Sequence, residues 1–383
     1  MKKNLIALAV AGALAAPAAA MADATVYGKL HMSVDSYDNG GDDNVTLQQD
    51  GEASGLAIAS NSSRFGIKGS EDLGSGLTAI WQAESTLNMD DGSGSLSNRN
   101  TYVGFKGGFG TVMAGHHDSP VKTIGRKADL FGDQVGDSRS IIRGRFAGAD
   151  LDPRTSNMLM YVSPSMGAIQ AAVQYSPDED SSDATTNVNM GTAGGYVVVS
   201  TTVANNPDTS HLSAAVWYDQ GPLYVALGYS EDQADDGAAG YADETAMRLV
   251  GSYKMDALKF TALYQQAEGL GNVDGDDADM WGIGAAFNMG GGNTVKAQYY
   301  SATLESKAAG ATDAEATVWA IGFDHAMSKQ TSVYAAYSVS ENDAGTNNGI
   351  NVTPWGGTGH DNLASGVNDE SASALSVGVV HKF

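Results

Sequence analysis

Residues 24–35 read ATVYGKLHMSVD, and their alternation decides the fold. Val26, Leu30, Met32 and Val34 fall on one side of an extended chain, and Thr25, Tyr27, Lys29, His31, Ser33 and Asp35 fall on the other. One face suits hydrocarbon and the other suits water. The same period recurs near residues 63–70, 76–87, 99–107, 110–117, 154–163, 167–176, 210–219, 222–231, 244–254, 257–266, 279–288, 294–303, 316–326, 331–340 and 372–383, which makes sixteen strands.

The connections alternate as well. Short turns fall at 71–75, 107–110, 164–167, 220–222, 255–256, 289–292 and 325–330, with longer polar stretches such as 36–62, 177–209, 267–277 and 342–371 between them. Short turns on one rim and long loops on the other, with both termini at the short-turn rim, describe an all-β, 16-stranded antiparallel transmembrane β-barrel. Aromatic residues near strand ends, among them Tyr27, Trp81, Tyr161, Trp281, Tyr299 and Trp319, agree with interfacial girdles but also with any β-strand. A soluble sandwich or propeller is the rival architecture. It needs a core of large residues, and the apolar strand faces here are thin and rich in Val, Leu, Ala and Gly.

Composition bounds the rest. Lys2 and Lys3, the apolar run from Leu5 to Ala20 and the small residues Ala20 and Ala22 have the order of a secretory signal peptide over residues 1–22, leaving a mature chain of 23–383. Removing that segment takes away two lysines and no acid, so the net charge of −24 becomes −26. This balance argues against nucleic acid as a partner. There is no cysteine, hence no disulfide, thiolate metal site or cysteine nucleophile. No later stretch approaches the ~18 apolar residues of a membrane-spanning helix, so a membrane location requires a closed barrel.

One segment departs from the acidic background. Between Asp118 and Pro153 the chain carries Lys122, Arg126, Lys127, Arg139, Arg143 and Arg145 against Asp118, Asp129, Asp133, Asp137, Asp150 and Asp152. A connection of this length inside a compact domain is usually functional or disordered.

Several strings resemble the general porins of Gram-negative outer membranes. They are VYGKL (26–30), SRFGIKGSEDLGSGL (63–77), NTYVGFKGGFGTVMAG (100–115), NMLMYVSP (157–164) and the final LSVGVVHKF (375–383). The resemblance implies a trimeric barrel in the outer membrane, with a water-filled pore narrowed by the third loop, here about 118–153, folded into the lumen. It also implies contacts with the lipid bilayer and lipopolysaccharide, and a terminal Phe383 read by the barrel-insertion machinery. By motif context it carries a basic wall onto Lys29, Arg64 and Arg99, with His116 where an arginine normally stands. Lys122, Arg126, Asp129, Asp133, Asp137, Arg139 and Arg143 become the loop side of the constriction.

Alternation puts Arg64 and Lys29 on the lumen face, opposite Phe65 and Leu30. Arg99 shares parity with Val103 and Phe105, so either a bulge resets the register or the resemblance fails there. His116 and His117, being adjacent, point to opposite faces and cannot alone chelate one ion. The run Asp274, Asp276, Asp277 and Asp279 lacks the distal glutamate of a calcium loop, and the glycines at 108–115 lead into a strand, not a phosphate-binding helix. No cofactor is expected, although acidic outer loops are candidates for weakly held Ca²⁺ or Mg²⁺.

The seven histidines sit in no recognised catalytic motif, so an outer-membrane enzyme is not expected. The reading is a diffusion channel for small hydrophilic solutes and ions with weak cation preference. The alternatives are a phosphate- or carboxylate-selective channel using Arg139, Arg143 and Arg145, and a structural or adhesin barrel.

Overall fold

The structure, a computed structural model, describes residues 23–41, 54–93, 96–177, 185–192, 195–202, 210–233, 242–306, 312–343, 352–355 and 370–383; the signal-peptide segment 1–22 lies outside the described residues. The strands are β1 (Asp23–Asp38), β2 (Ser54–Ser60), β3 (Arg64–Gly74), β4 (Leu77–Thr86), β5 (Thr101–Gly107), β6 (Gly110–Asp118), β7 (Arg154–Val162), β8 (Ile169–Ser176), β9 (Thr185–Thr192), β10 (Gly195–Thr202), β11 (Ser210–Gln220), β12 (Leu223–Gln233), β13 (Glu244–Met255), β14 (Leu258–Glu268), β15 (Asp276–Gly290), β16 (Asn293–Ser306), β17 (Ala314–Ala326), β18 (Thr331–Asp343) and β19 (Ser371–Lys382).

Sequence neighbours pair antiparallel around the sheet, β8 pairs with β11 across the separate β9–β10 hairpin, and β1 pairs with β19 to close the barrel. Both β2 and β3 pair with β1, from Asp38↔Ser54 down to Met32↔Ser60 and then from Lys29↔Arg64 to Asp23↔Ser70. They are two halves of one strand, which leaves sixteen around the barrel.

The sequence reading placed 36–62 in a loop, but β1 runs to Asp38 and β2 occupies 54–60. The break at 61–63 has a physical cause. Ile58 and Phe65 both face outward yet stand an odd number of residues apart, so an inserted residue must restore the alternation. Ser62 takes φ 53°, and the Ser63 hydroxyl both accepts from His31 N (2.9 Å) and donates to His31 O (3.0 Å), filling the ladder position that the break vacates.

The barrel is inside out relative to a soluble protein. Val26, Val34, Val103 and Leu159 are more than half exposed, whereas Lys29, His31, Ser33 and Asp35 are buried on the inner face. Tyr27 departs from the girdle reading, because its hydroxyl donates inward to Glu84 (2.9 Å). The inner face is not polar throughout either. From β11 to β19 it carries Ala215, Ala226, Ala246, Val250, Leu263, Met280, Ala302, Val318, Ala320 and Ala336, all buried.

At the closing seam Gly28 N donates to Phe383 O (3.0 Å) and Phe383 N to Gly28 O (3.2 Å), and the Phe383 ring lies over the space a Gly28 side chain would fill. Gly28→Val should therefore destabilise the refolded barrel by about 1–3 kcal/mol in urea titration. Unchanged stability would contradict this packing.

Candidate functional site

The connection after β6 turns into the barrel. Asp118 stands across from Arg154 in the β6–β7 ladder and accepts from its guanidinium (2.9 Å) and from Lys122 Nζ (2.9 Å), so three charges close the neck of the loop. Ser119 then caps helix α1 (Pro120–Gly125), accepting from Lys122 N, with Pro120 where no helical donor is needed. A short helix α2 (Arg139–Ile142) and a single 3-10 turn (Arg145–Ala147) follow before β7.

Apolar side chains at irregular spacing hold this loop to the wall. Val121, Ile124, Phe131, Val135, Ile141, Ile142 and Leu151 are all at most 2% exposed and pack on the apolar inner face of β11–β19. Each contributes about 1.5–3 kcal/mol relative to exposure, so together they outweigh any single ion pair in the lumen. The loop thus covers one side of the barrel. Opposite it, Arg64, Lys68 and Gln82 on β3–β4 stay at least partly exposed, while Met113, Met158 and Met160 form a small buried cluster on β6–β7.

Polar anchors fix where the loop lies. Arg248 on β13 is fully buried; its guanidinium donates to Val121 O (3.1 Å), Ile142 O (3.1 Å) and Asp152 Oδ1 (2.5 Å), and its Nε to Gln265 Oε1. On β16, Lys296 donates to Leu130 O (2.9 Å) and Gln134 Oε1 (2.8 Å) while pairing with Asp324 (2.9 Å). Gln298 accepts from Leu130 N (2.9 Å) and donates to Gly136 O (2.6 Å) and Asp129 Oδ1 (3.1 Å). Neither Arg248, Lys296 nor Gln298 was singled out from the sequence. Alternation contains the signal for Arg248, since Met247 and Leu249 on either side face outward.

The loop carboxylates are tied down within the loop. Arg126 reaches Asp137 (3.0 Å), Asp133 (3.0 Å) and Asp129 (3.8 Å), and Lys29 reaches Asp133 from β1 (2.6 Å). Burial alone would raise Asp133, but Arg126 and Lys29 outweigh it and hold the carboxyl well below its usual range. Burial, then the Asp137 charge, pushes Asp129 upward. Arg126 and Lys29 thus stand among three carboxylates, Asp129, Asp133 and Asp137. Arg139 pairs with Asp152 (3.4 Å), and Arg143 forks onto Asp150 with Arg145 beside it (3.2 Å).

On the open wall, Arg64 lines a cleft with Lys29, Lys382, Asp324 and the loop tip at Gly132–Gln134. Lys29 stands directly across from both Arg64 and Lys382. Arg64, Lys68 and Lys382 make no salt bridge among the described residues. Arg99 lies ahead of β5, so strand parity does not govern it, and its Nε donates to Glu84 Oε1 (2.6 Å). His116 pairs across the sheet with Thr101, on the parity of outward Val103 and Ala114, and its ring bonds Ser156 (3.1 Å). His117 instead stands edge-on to inward Tyr102. The acidic run at 274–279 forms no metal-ligating cluster among the described residues; Asp279 accepts from Tyr264 OH (2.7 Å) and Asp277 from Gly269 N (3.3 Å).

Comparison with known proteins agrees with this geometry. The family model described as Gram-negative porin matches residues 7–345. Outer membrane porin protein 32 of Delftia acidovorans is 30% identical over 394 aligned positions covering all of both chains. The major outer membrane protein P.IB of Neisseria gonorrhoeae is 36% identical over 192 positions, spanning 47% of this chain and 50% of its own. A solved structure described as the anion-selective porin from Comamonas acidovorans superposes with TM-score 0.75 at 25% identity, covering 95% of this chain and 100% of that one.

Arg248→Met leaves Asp152 buried with Arg139 alone, at a cost of about 3–5 kcal/mol. The barrel should still form, while limited proteolysis cuts within 119–153. Adding Asp152→Leu should restore most of the resistance. A single variant as resistant as the parent would contradict the anchor.

Proposed function

The chain belongs to the Gram-negative porin family, channels of the bacterial outer membrane, and from that premise we propose that it passes small hydrophilic solutes and ions by diffusion with a preference for anions. One observation carries the preference: Arg64, Lys68 and Lys382 make no salt bridge among the described residues, Arg64 and Lys382 line the cleft at the loop tip, and Asp133, the loop carboxylate in that cleft, is already paired with Arg126 and Lys29. In a gap walled by protein, unpaired fixed charge raises the local counter-ion concentration. No covalent step or cofactor is required.

The second reading is the weak cation preference that the net charge of −24 favours, acting from the outer mouth over about a Debye length, ~8 Å. A solute-specific anion site at Arg139, Arg143 and Arg145 has less support, because those guanidiniums already engage Asp152 and Asp150. We further propose a homotrimer bound to lipid and lipopolysaccharide, inserted through the C-terminal strand ending at Phe383. The likeness to trimeric porins supports this, and chemical cross-linking in native membranes tests it.

The reversal potential in a KCl gradient across a planar bilayer decides the sign. It should report chloride preference in the parent, reduced or reversed in Arg64→Glu; potassium preference in the parent would overturn the reading. Burial pulls Lys122 down to about 8, so between pH 7 and 9 it sheds its charge. Chloride preference should fall over that interval, and the fall should shrink in Lys122→Met.

A further inference from the structure

The connection between β18 and β19 contributes a second element to the lumen, the four residues Val352–Trp355. All four are buried, with Val352 at 2% and Trp355 at 5% exposure. Asn342 on β18 holds Val352 in both directions, accepting from Val352 N (2.9 Å) and donating to Val352 O (3.0 Å), and Ser340 donates to the same oxygen (2.8 Å). Trp355 stands edge-on to Tyr37 of β1, with ring centroids 5.7 Å apart.

These residues touch the loop that narrows the channel. Pro354 O accepts from Gly136 N (2.5 Å), and the opposite side of Gly136 is held by Gln298. Gly136 has φ +83°, and a side chain there would meet Ala320 and Ser338, so the loop tip has no room to slide along the wall. Trp355 belongs to the apolar cluster containing Phe131 and Val135, and Val352 to the one containing Ile141 and Ile142. The segment therefore spans both places where the loop is packed.

We propose that Val352–Trp355 is a strap that positions the constricting loop, so that the open state of the channel is set by residues outside that loop. The wall anchors act on the loop from the barrel side. The strap acts on the tip, where Gly136 would otherwise have only Gln298 and wall contacts. Loss of the strap frees the tip to enter the cleft lined by Lys29, Arg64 and Lys382, which blocks current transiently. The strap touches no permeating ion and acts only through the loop.

Single-channel recording in planar bilayers tests this with Trp355→Ala and, as an independent variant, Asn342→Ala. The parent's own conductance, measured first, separates failure of the channel reading from failure of the strap. Both variants should show brief closures about tenfold more frequent than the parent, the change expected for losing one net hydrogen bond's worth of restraint. The double variant should be no worse than the more affected single one, because both act by releasing the one bond from Gly136 N to Pro354 O. Trp355→Phe should restore quiet openings, and the heat-induced gel shift of the folded barrel should stay at the parental temperature in all four. Parental closure frequency in both single variants would overturn the proposal. So would closures that track a lowered gel-shift temperature, since they would report general destabilisation.

Discussion

A buried arginine inside the barrel wall is the constraint from which the rest of the lumen follows. Arg248 has no access to water, so its charge must be met by protein. It is met by Asp152 together with the carbonyls of Val121 and Ile142, which lie near the end, the beginning and the middle of one inward loop. The net stability from such a pair is small, because desolvation offsets most of the attraction. Apolar burial supplies the larger energy, through the isoleucines and Phe131 on the alanine- and valine-rich inner face. Non-directional burial cannot choose a register along the wall. The guanidinium can, because its donors are fixed in a plane.

This arrangement divides the lumen. On the side of β11–β19 the loop is packed as a protein core, and Lys296, Gln298 and the Val352–Trp355 segment hold its tip. On the opposite side, β3–β5 carry Arg64 and Lys68 with the Glu84–Arg99 pair nearby, while β6–β7 carry the buried cluster Met113, Met158 and Met160 below Arg154. The carboxylates that could have formed a transverse field from the loop are instead gathered around Arg126. In a chain of net charge −24, Arg64 and Lys382 line the cleft at the loop tip and make no salt bridge among the described residues.

Much of the barrel was legible because lipid imposes a simple rule, apolar outward at every second residue. Strand positions, the two kinds of connection, and the inward facing of Lys29 and Arg64 follow from it. The rule fails where its premise fails. Strand β2 was hidden because Leu56 and Ile58 make too short an alternation within a polar stretch, and the parity conflict between Arg99 and Val103 arises only because Arg99 precedes its strand. The apolar half of the inner wall was not anticipated, because the loop that covers it is brought there only by the fold. The partners of Asp129, Asp133 and Asp137 depend on through-space approach, which spacing does not encode. Arg248 obeyed the alternation, but a lone arginine between Met247 and Leu249 does not announce what it binds.

In the proposed channel, ions pass between the loop and the wall that carries Arg64, and not behind the loop. Because the chain contains no cysteine, single substitutions place the only thiol in the protein. Arg64 lies on the open wall, and Val318 lies on the inner face of β17 beneath the loop. A charged methanethiosulfonate reagent applied to open channels should block current through Arg64→Cys and leave Val318→Cys unchanged. Block of Val318→Cys with Arg64→Cys unaffected would contradict the account.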